Sequence, residues 1–372
     1  MKPLEGLKVV ELARVLAGPW AGQALADLGA EVVKVESPAG DDTRAWGPPF
    51  IERDGDRTAA YFYAANRGKR SVVADFATPE GQEIVRGLVT EADILIENFK
   101  VGGLAKYGLD YAALSALNPR LIYCSITGFG QDGPRATEPG YDFMIQGLSG
   151  LMSITGMADG PPVKVGVAVT DVVAGLNATI GILAAVEQRH RTGRGQHVDL
   201  ALFDSAVALL ANQAMNYLAT GDAPGRLGNA HPNLVPYEAL PVEDGHVIVA
   251  VGNDRQFRAF SAALGMEALA DNPMFATNAA RVENREFLIG ILGEATAVWP
   301  AEALLAALRG AGVPAGPIND IAAAFADPQS VARGLRIAPE GVPGVRGPWR
   351  FSEGELALGK TAPTLPREAK QG

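Results

Sequence analysis

At 372 residues, with 48% apolar and 20% charged side chains, the chain has ordinary globular composition. It is long enough for one large domain or two to three ordinary ones. Forty-two acids against 32 bases leave a net charge of −10, which argues against a nucleic-acid partner and requires a local basic cluster for any anionic ligand. The single cysteine, Cys124, rules out a disulfide framework within the chain and a multi-cysteine metal site, and the four histidines are too scattered for an HExxH motif, so no metal is expected.

The first residues, Met1–Glu5, carry no apolar run and read as the start of a domain rather than a targeting segment. Leu7–Leu12 then reads as a strand, Ala13–Pro19 as a loop, Trp20–Leu28 as a helix and Glu31–Glu36 as a second strand. This βαβ unit predicts parallel pairing with a right-handed crossover. A loop rich in glycine, proline and charge spans residues 37–70, a length that is usually functional. Ser71–Phe76 reads as a strand, and Thr78-Pro79-Glu80 opens a helix, because threonine caps, proline fits the first turn and glutamate suits the positive helix end. Ile94–Glu97 and Leu121–Ile126 continue the series. The expected class is α/β, a Rossmann-like doubly wound large domain.

Tyr141–Met152 reads as a helix, Val163–Val169 as a strand, Val172–His190 as a long helix, Gln196–Leu200 as a strand and Ser205–Leu218 as a helix. The apolar stretch Val165–Val186 is long enough to raise a membrane span. Asp171 and Asn177 interrupt it, and a central aspartate costs about 2.5–3.5 kcal/mol on insertion, so a soluble cytoplasmic chain without a membrane partner is expected. Beyond Gly221 the texture changes: Glu238–Leu240 and His246–Val251 suggest a small sheet, with helices at Arg255–Leu264, Arg285–Ala295 and Ala301–Ala311. The expected division is 1–225 for the large domain, 226–315 for a small α+β domain and 316–372 for a tail.

Four signals bear on chemistry. Gly128–Gly133 spells G-x-G-x-x-G after a strand, but Pro134 follows and no helix pattern does, so it reads as a nucleotide loop or a plain turn. Arg67-Gly68-Lys69-Arg70 reads as a solvated loop or a phosphate patch; Lys100 and Lys106 follow another strand end, where parallel sheets face their ligands. Asp171 is the only acid between Gly160 and Glu187, at the start of a helix. It reads as an N-cap or as a nucleophile beside helix amides that stabilise developing negative charge. Gly147-Leu148-Ser149-Gly150 is one residue short of a nucleophile elbow, and no Ser-His-Asp order emerges.

Taken in order, several segments resemble the family III CoA-transferases. They are Pro3–Gly6 with Ala17-Gly18-Pro19, Leu28–Glu36, Asn66–Ser71, Glu97-Asn98-Phe99, Ser125–Gly130, Pro139–Asp142, Thr192–Gln196 and Gly312–Pro317, spanning about residues 3–360. The resemblance implies a nucleophilic aspartate at Asp171. It implies coenzyme A contacts at Arg14, Val15, Leu16 and Ala17, at Ala74, Asp75, Phe76 and Ala77, at Asn98, Phe99 and Lys106, and at Tyr141 and Asp142. CoA and acyl-CoA would be substrates, with no permanently bound cofactor. Related racemases carry a catalytic histidine where this chain has Tyr141, which favours transfer. Residues 40–49, His231–Tyr237 and Gly252-Asn253 are most similar to glutarate-type branches, which implies a dicarboxylate acceptor such as succinate or glutarate. On this reading Arg44, Tyr141, His231 and Asn233 face the acid substrate.

The implied activity moves CoA from an acyl-CoA to a carboxylic acid through an aspartyl anhydride and an aspartyl-CoA thioester. The implied assembly is an interlocked ring-like homodimer in which the tail returns to the large domain. The alternatives are a 2-methylacyl-CoA racemase or other CoA-linked isomerase and, more distantly, an NAD-dependent oxidoreductase. Two departures stand out: Ser37 replaces an arginine common in the family, and the Gly-Glu-His-Thr motif of the usual C-terminal helix is absent.

Overall fold

The computed structural model describes residues 1–366. Short β-branched runs build its central sheet from β1 (Lys8–Glu11), β2 (Glu31–Glu36), β3 (Arg70–Val73), β4 (Ile94–Glu97), β5 (Ile122–Thr127) and β6 (His197–Ala201). All neighbours are parallel, in the order β3-β2-β1-β4-β5-β6. Helices cover both faces, so β4 and β5 are buried along their whole length, and such strands read as near-continuous apolar runs. The order reverses at β1, where Val9 faces Val32 of β2 on one side and Ile94 of β4 on the other. In such sheets a crevice opens outside the carboxyl ends at that switch point.

Four helices position the crevice: α1 (Ala17–Asp27), α2 (Pro79–Thr90), α3 (Asp142–Leu148) and α4 (Val169–Thr192). The α2 start is as the sequence dictates, with the Thr78 hydroxyl accepting from the Gly81 N–H and Pro79 in the first turn. Helix α4 is long and apolar enough to span a bilayer by composition. Here it packs along α1, burying Ala174, Ala178 and Ile182 with Ala21 and Leu25. Gly175 sets how closely they approach: a Cβ there would lie 2.6 Å from the Ala17 carbonyl oxygen and 2.9 Å from Trp20 Cβ.

The chain divides into two units. The first comprises Met1–Leu151, Lys164–Ala211 and the described residues from Pro328 on. The second comprises Met152–Val163 and Asn212–Asp327, and the expected span 226–315 falls inside it. The second unit has its own antiparallel sheet, ordered β9-β8-β7, of β7 (Tyr237–Val242), β8 (Gly245–Ala250) and β9 (Ala315–Pro317). Its core includes Phe257, Phe260, Phe275 and Leu288.

Four expected elements differ. Val163–Val169 is not a strand: the Val165 N–H donates to the Gln146 side chain instead of a ladder, and α4 begins at Val169. Asp171 is therefore not an N-cap but the third residue of the helix. The third strand ends at Val73, which leaves Ala74–Phe76 as loop. Helix α3 stops at Leu148 rather than Met152. The single helix expected at Ser205–Leu218 is two, Leu202–Leu209 and Ala211–Thr220, broken where Ala211 takes a φ of 44° that a continuing right-handed helix excludes.

Candidate active site

A cleft of about 590 Å³ opens at the carboxyl ends of the strands. Every strand of the central sheet contributes to it from its exit: Leu12 after β1, Ser37 after β2, Ala74 after β3, Asn98 after β4, Gly128 after β5 and Leu202 after β6. The loop Arg14–Ala17, the turn Ala74–Ala77, Asn98 with Phe99, and Lys106 all line this one space, together with Tyr141 and Asp171. Residues as far apart in sequence as Leu12 and Leu202 thus converge through parallel topology.

One wall is basic and aromatic. Arg14, Lys100 and Lys106 are exposed on it; the Arg14 guanidinium lies 5.3 Å from the centre of the Phe99 ring, and Phe99 sits 5.9 Å from Phe76. This is the local exception that an anionic ligand requires on an acidic protein. The loop beneath is backbone-defined. Asn98 accepts from the Arg14 N–H at 2.9 Å and donates to the Arg14 carbonyl at 2.7 Å. Val15 follows with a φ of 71°, a left-handed conformation that costs a β-branched residue about 1–3 kcal/mol.

Asp171 also lines the cleft, half-buried, in the first turn of α4 and one turn before Gly175. That spacing places it on the helix face that meets the start of α1. Burial, and then the Asp142 carboxylate, push its carboxyl up to about 7. The positive end of the α4 dipole opposes the rise. The result is a carboxylate only weakly solvated and close to half ionised near neutral pH, the state that suits a nucleophile.

Asp142 does not line the cleft, which corrects its expected role as a CoA contact. Its Oδ1 accepts from the Thr170 N–H at 2.9 Å and from the Thr170 hydroxyl at 2.8 Å, and its Oδ2 accepts from Gln146 at 2.8 Å. It caps α4 from another helix, in place of Ala168, whose side chain cannot. The G-x-G-x-x-G letters are likewise structural. Gly128 packs on Gly140: a Cβ at position 128 would lie 2.6 Å from the Gly140 Cα. That contact lets Pro139–Asp142 cross the exit of β5 and deliver Tyr141, 66% exposed, to the cleft. Gly140→Ala is expected to displace Tyr141 and Asp142 together and lower kcat/KM roughly tenfold or more, measured by steady-state kinetics beside an unchanged far-UV spectrum.

The description "CoA-transferase family III" fits residues 4–368. The chain belongs to the CoA-transferase family III. A succinate–glutarate CoA-transferase of Agrobacterium fabrum is 56% identical, covering 99% of this chain and 94% of that one. A succinyl-CoA:glutarate CoA-transferase of Mus musculus is 42% identical over 100% of this chain and 85% of its own length. Among solved structures, a CAIB/BAIF family protein from Brucella suis superposes with a TM-score of 0.89 at 61% identity, covering 98% and 96% of the two chains. Rv3272 from Mycobacterium tuberculosis does so with a TM-score of 0.88 at 28% identity, covering 98% and 97%. The protein is an enzyme that takes acyl-CoA and carboxylate substrates.

Two further expectations for this CoA-transferase need correction. Arg44 does not line the cleft: it is buried, donates two bonds to Glu36 at 2.7 and 2.8 Å, and stacks 3.8 Å from the centre of the Phe62 ring. A guanidinium so committed has no free edge for a substrate carboxylate. The basic run is not a phosphate patch either, since Arg67 pairs with Asp27 at 2.6 Å and Lys69 with Glu11 at 2.7 Å, all four buried. His231 and Asn233 belong to the second unit, where His231 Nδ1 accepts from the Asn233 N–H at 3.0 Å and its ring lies 5.1 Å from Tyr237. Thr137 and Tyr107 also line the cleft without a marker in the sequence; they lie well beyond the strand ends at Thr127 and Glu97.

Proposed function

We propose that this enzyme transfers CoA from succinyl-CoA to a dicarboxylic acid such as glutarate, with Asp171 as the nucleophile. The observation that carries the reading is the half-buried Asp171 carboxyl, pushed up to about 7, in one cleft with the Arg14–Ala17 loop and the basic wall. The printed activities of the relatives from Agrobacterium fabrum and Mus musculus support the choice of acids.

The steps balance without an external energy source. An Asp171 carboxylate oxygen attacks the thioester carbonyl; a C–O bond forms, the C–S bond breaks, and CoA leaves as thiolate. The thiolate attacks the aspartyl carbonyl of the resulting anhydride, releasing the donor acid and leaving an aspartyl-CoA thioester. The acceptor carboxylate displaces CoA to form a second anhydride. Thiolate then attacks its acceptor-side carbonyl, which frees the new acyl-CoA and restores Asp171. The low solvent access that raises the Asp171 pKa also spares the anhydrides from water. Contacts of Arg14, Lys100 and Lys106 with the CoA phosphates supply binding energy remote from the reacting carbon.

The proposed assembly is a homodimer, interlocked as the resemblance implies, in the cytoplasm. Exposed apolar side chains support an unfilled interface on each unit: Ile180, 65% exposed on α4, and Leu218, 71% exposed on the helix Ala211–Thr220. The test is a panel of mono- and dicarboxylates offered with succinyl-CoA, the products read by mass spectrometry. Glutaryl-CoA formed in preference to monocarboxyl-CoA products is the expected result. A preference for monocarboxylates overturns the acceptor class, and no exchange with any acid overturns succinyl-CoA as donor.

A further inference from the structure

The loop that faces the cleft is held at three successive residues by groups from three other strands or loops. The Lys34 ammonium, 1% exposed on β2, donates to the Ala13 carbonyl at 2.8 Å. Asn98, after β4, brackets the Arg14 backbone at both its N–H and its carbonyl. The Val15 N–H donates to the Asp41 carboxylate at 3.3 and 3.4 Å. Asp41, 2% exposed, is itself fixed by Lys34 at 2.9 Å, by the Thr43 N–H at 3.0 Å and by the Thr43 hydroxyl at 2.7 Å.

Lys34 thus touches both ends of the restrained segment, one directly and one through Asp41. What the arrangement enforces is the left-handed Val15 backbone, with a φ of 71°, in the wall of the cleft. A β-branched residue takes that conformation only where its surroundings over-determine it. Glycine would take it freely, so the sequence places a strained residue where an unstrained one was available and surrounds it with buried restraints.

We propose that Lys34 and Asp41 are positioning residues for the transfer reaction: they clamp Ala13–Val15 in the shape that receives the acyl-CoA. This rests on the reading of the cleft as the acyl-CoA site. Neither residue touches that space, since among the described residues lining the cleft the pair itself is missing. Their effect travels through the backbone of Val15.

The test compares wild type, Asp41→Asn and the double variant Asp41→Asn/Val15→Gly. The readouts are Kd for CoA by calorimetry, KM and kcat for the acyl-CoA, and Tm. Asp41→Asn is expected to raise Kd and KM roughly tenfold while kcat changes less than about threefold. Glycine at position 15 holds the left-handed backbone without the clamp, so the double variant is expected to recover at least about half of that loss on a logarithmic scale. A lowered Tm with unchanged Kd and KM, or a loss that glycine does not relieve, overturns the proposal. If Asp41→Asn does not fold, Thr43→Val serves instead, removing the 2.7 Å hydroxyl bond while leaving the Lys34 pair intact. It is expected to raise Kd about two- to fivefold, and an unchanged Kd overturns the clamp. Should wild type itself fail to bind CoA, the acyl-CoA reading of the cleft falls; should wild type bind and the variants bind equally, only the clamp does.

Discussion

Asp171→Ala is expected to lower kcat/KM by roughly 10⁴-fold or more, because the other two carboxylates in the cleft, Asp75 and Glu138, are exposed and engaged by the Ala77 N–H and by Arg135. Hydroxylamine added to wild type with succinyl-CoA is expected to leave a hydroxamate on Asp171, seen as a mass shift in its peptide; retained transfer in the alanine variant would sink the mechanism. The pH dependence has a definite sign. The ionised carboxyl attacks, and burial holds its pKa near 7, so kcat/KM should fall about tenfold per unit below pH 7 and level off above it.

The same shift carries a stability consequence. The folded pKa of Asp171 lies above its ordinary value of 3.8, so the folded state binds the extra proton between those two values. Stability is therefore lost as pH rises from about 4 to about 7, and the ionised group remains a burden above that. Asp171→Asn should be more stable than wild type at pH 8 by about 1–3 kcal/mol, after allowance for solvent around a half-buried group, and equal to it near pH 4. Urea unfolding at both values checks this. A nucleophile that destabilises its own fold is the expected trade between activity and stability.

Glu11→Gln is expected to have the largest effect on folding. Glu11 is fully buried at the end of β1 and holds two buried ammonium groups, Lys34 at 3.1 Å and Lys69 at 2.7 Å. Removing one partner from a buried ionic cluster costs about 3–5 kcal/mol, because the charge left behind is uncompensated. Burial already lowers the Lys69 pKa to about 8, against the pull of Glu11. Without Glu11 that pKa falls further, so the variant sheds its Lys69 penalty at lower pH than wild type does. The gap in unfolding free energy should narrow as pH rises towards 8. A gap that stays constant from about pH 6 to about pH 9 would contradict this account of Lys69.

These charges mark the limit of what a linear reading can find. Arg44, Arg67 and Lys69 look like ligand-binding cations in sequence, in a long loop and a basic run. In the fold each meets a carboxylate from a distant segment: Glu36, Asp27 and Glu11. Only pairing of the strands brings those acids near. Arg14, Lys100 and Lys106 look no different by composition, yet remain exposed because they follow strand exits on the open side of the sheet. Asp142 deceives in the same way, since its caps lie at Thr170, 28 positions on.

By itself the sequence determined the alternation of strand and helix, the parallel class of the main sheet and the start of α2, because these depend on periodicity and capping within a few residues. It also isolated Asp171, since an acid alone in a long apolar stretch stands out wherever the chain goes. Tertiary structure alone decided that Asp171 sits in the first turn of α4, that Gly175 sets its helix against α1, and that Lys34 and Asp41 brace Val15. Those outcomes depend on which buried donors and acceptors meet across the sheet. Each buried polar group must find a partner, and the choice among partners is made by packing, not by neighbours in sequence.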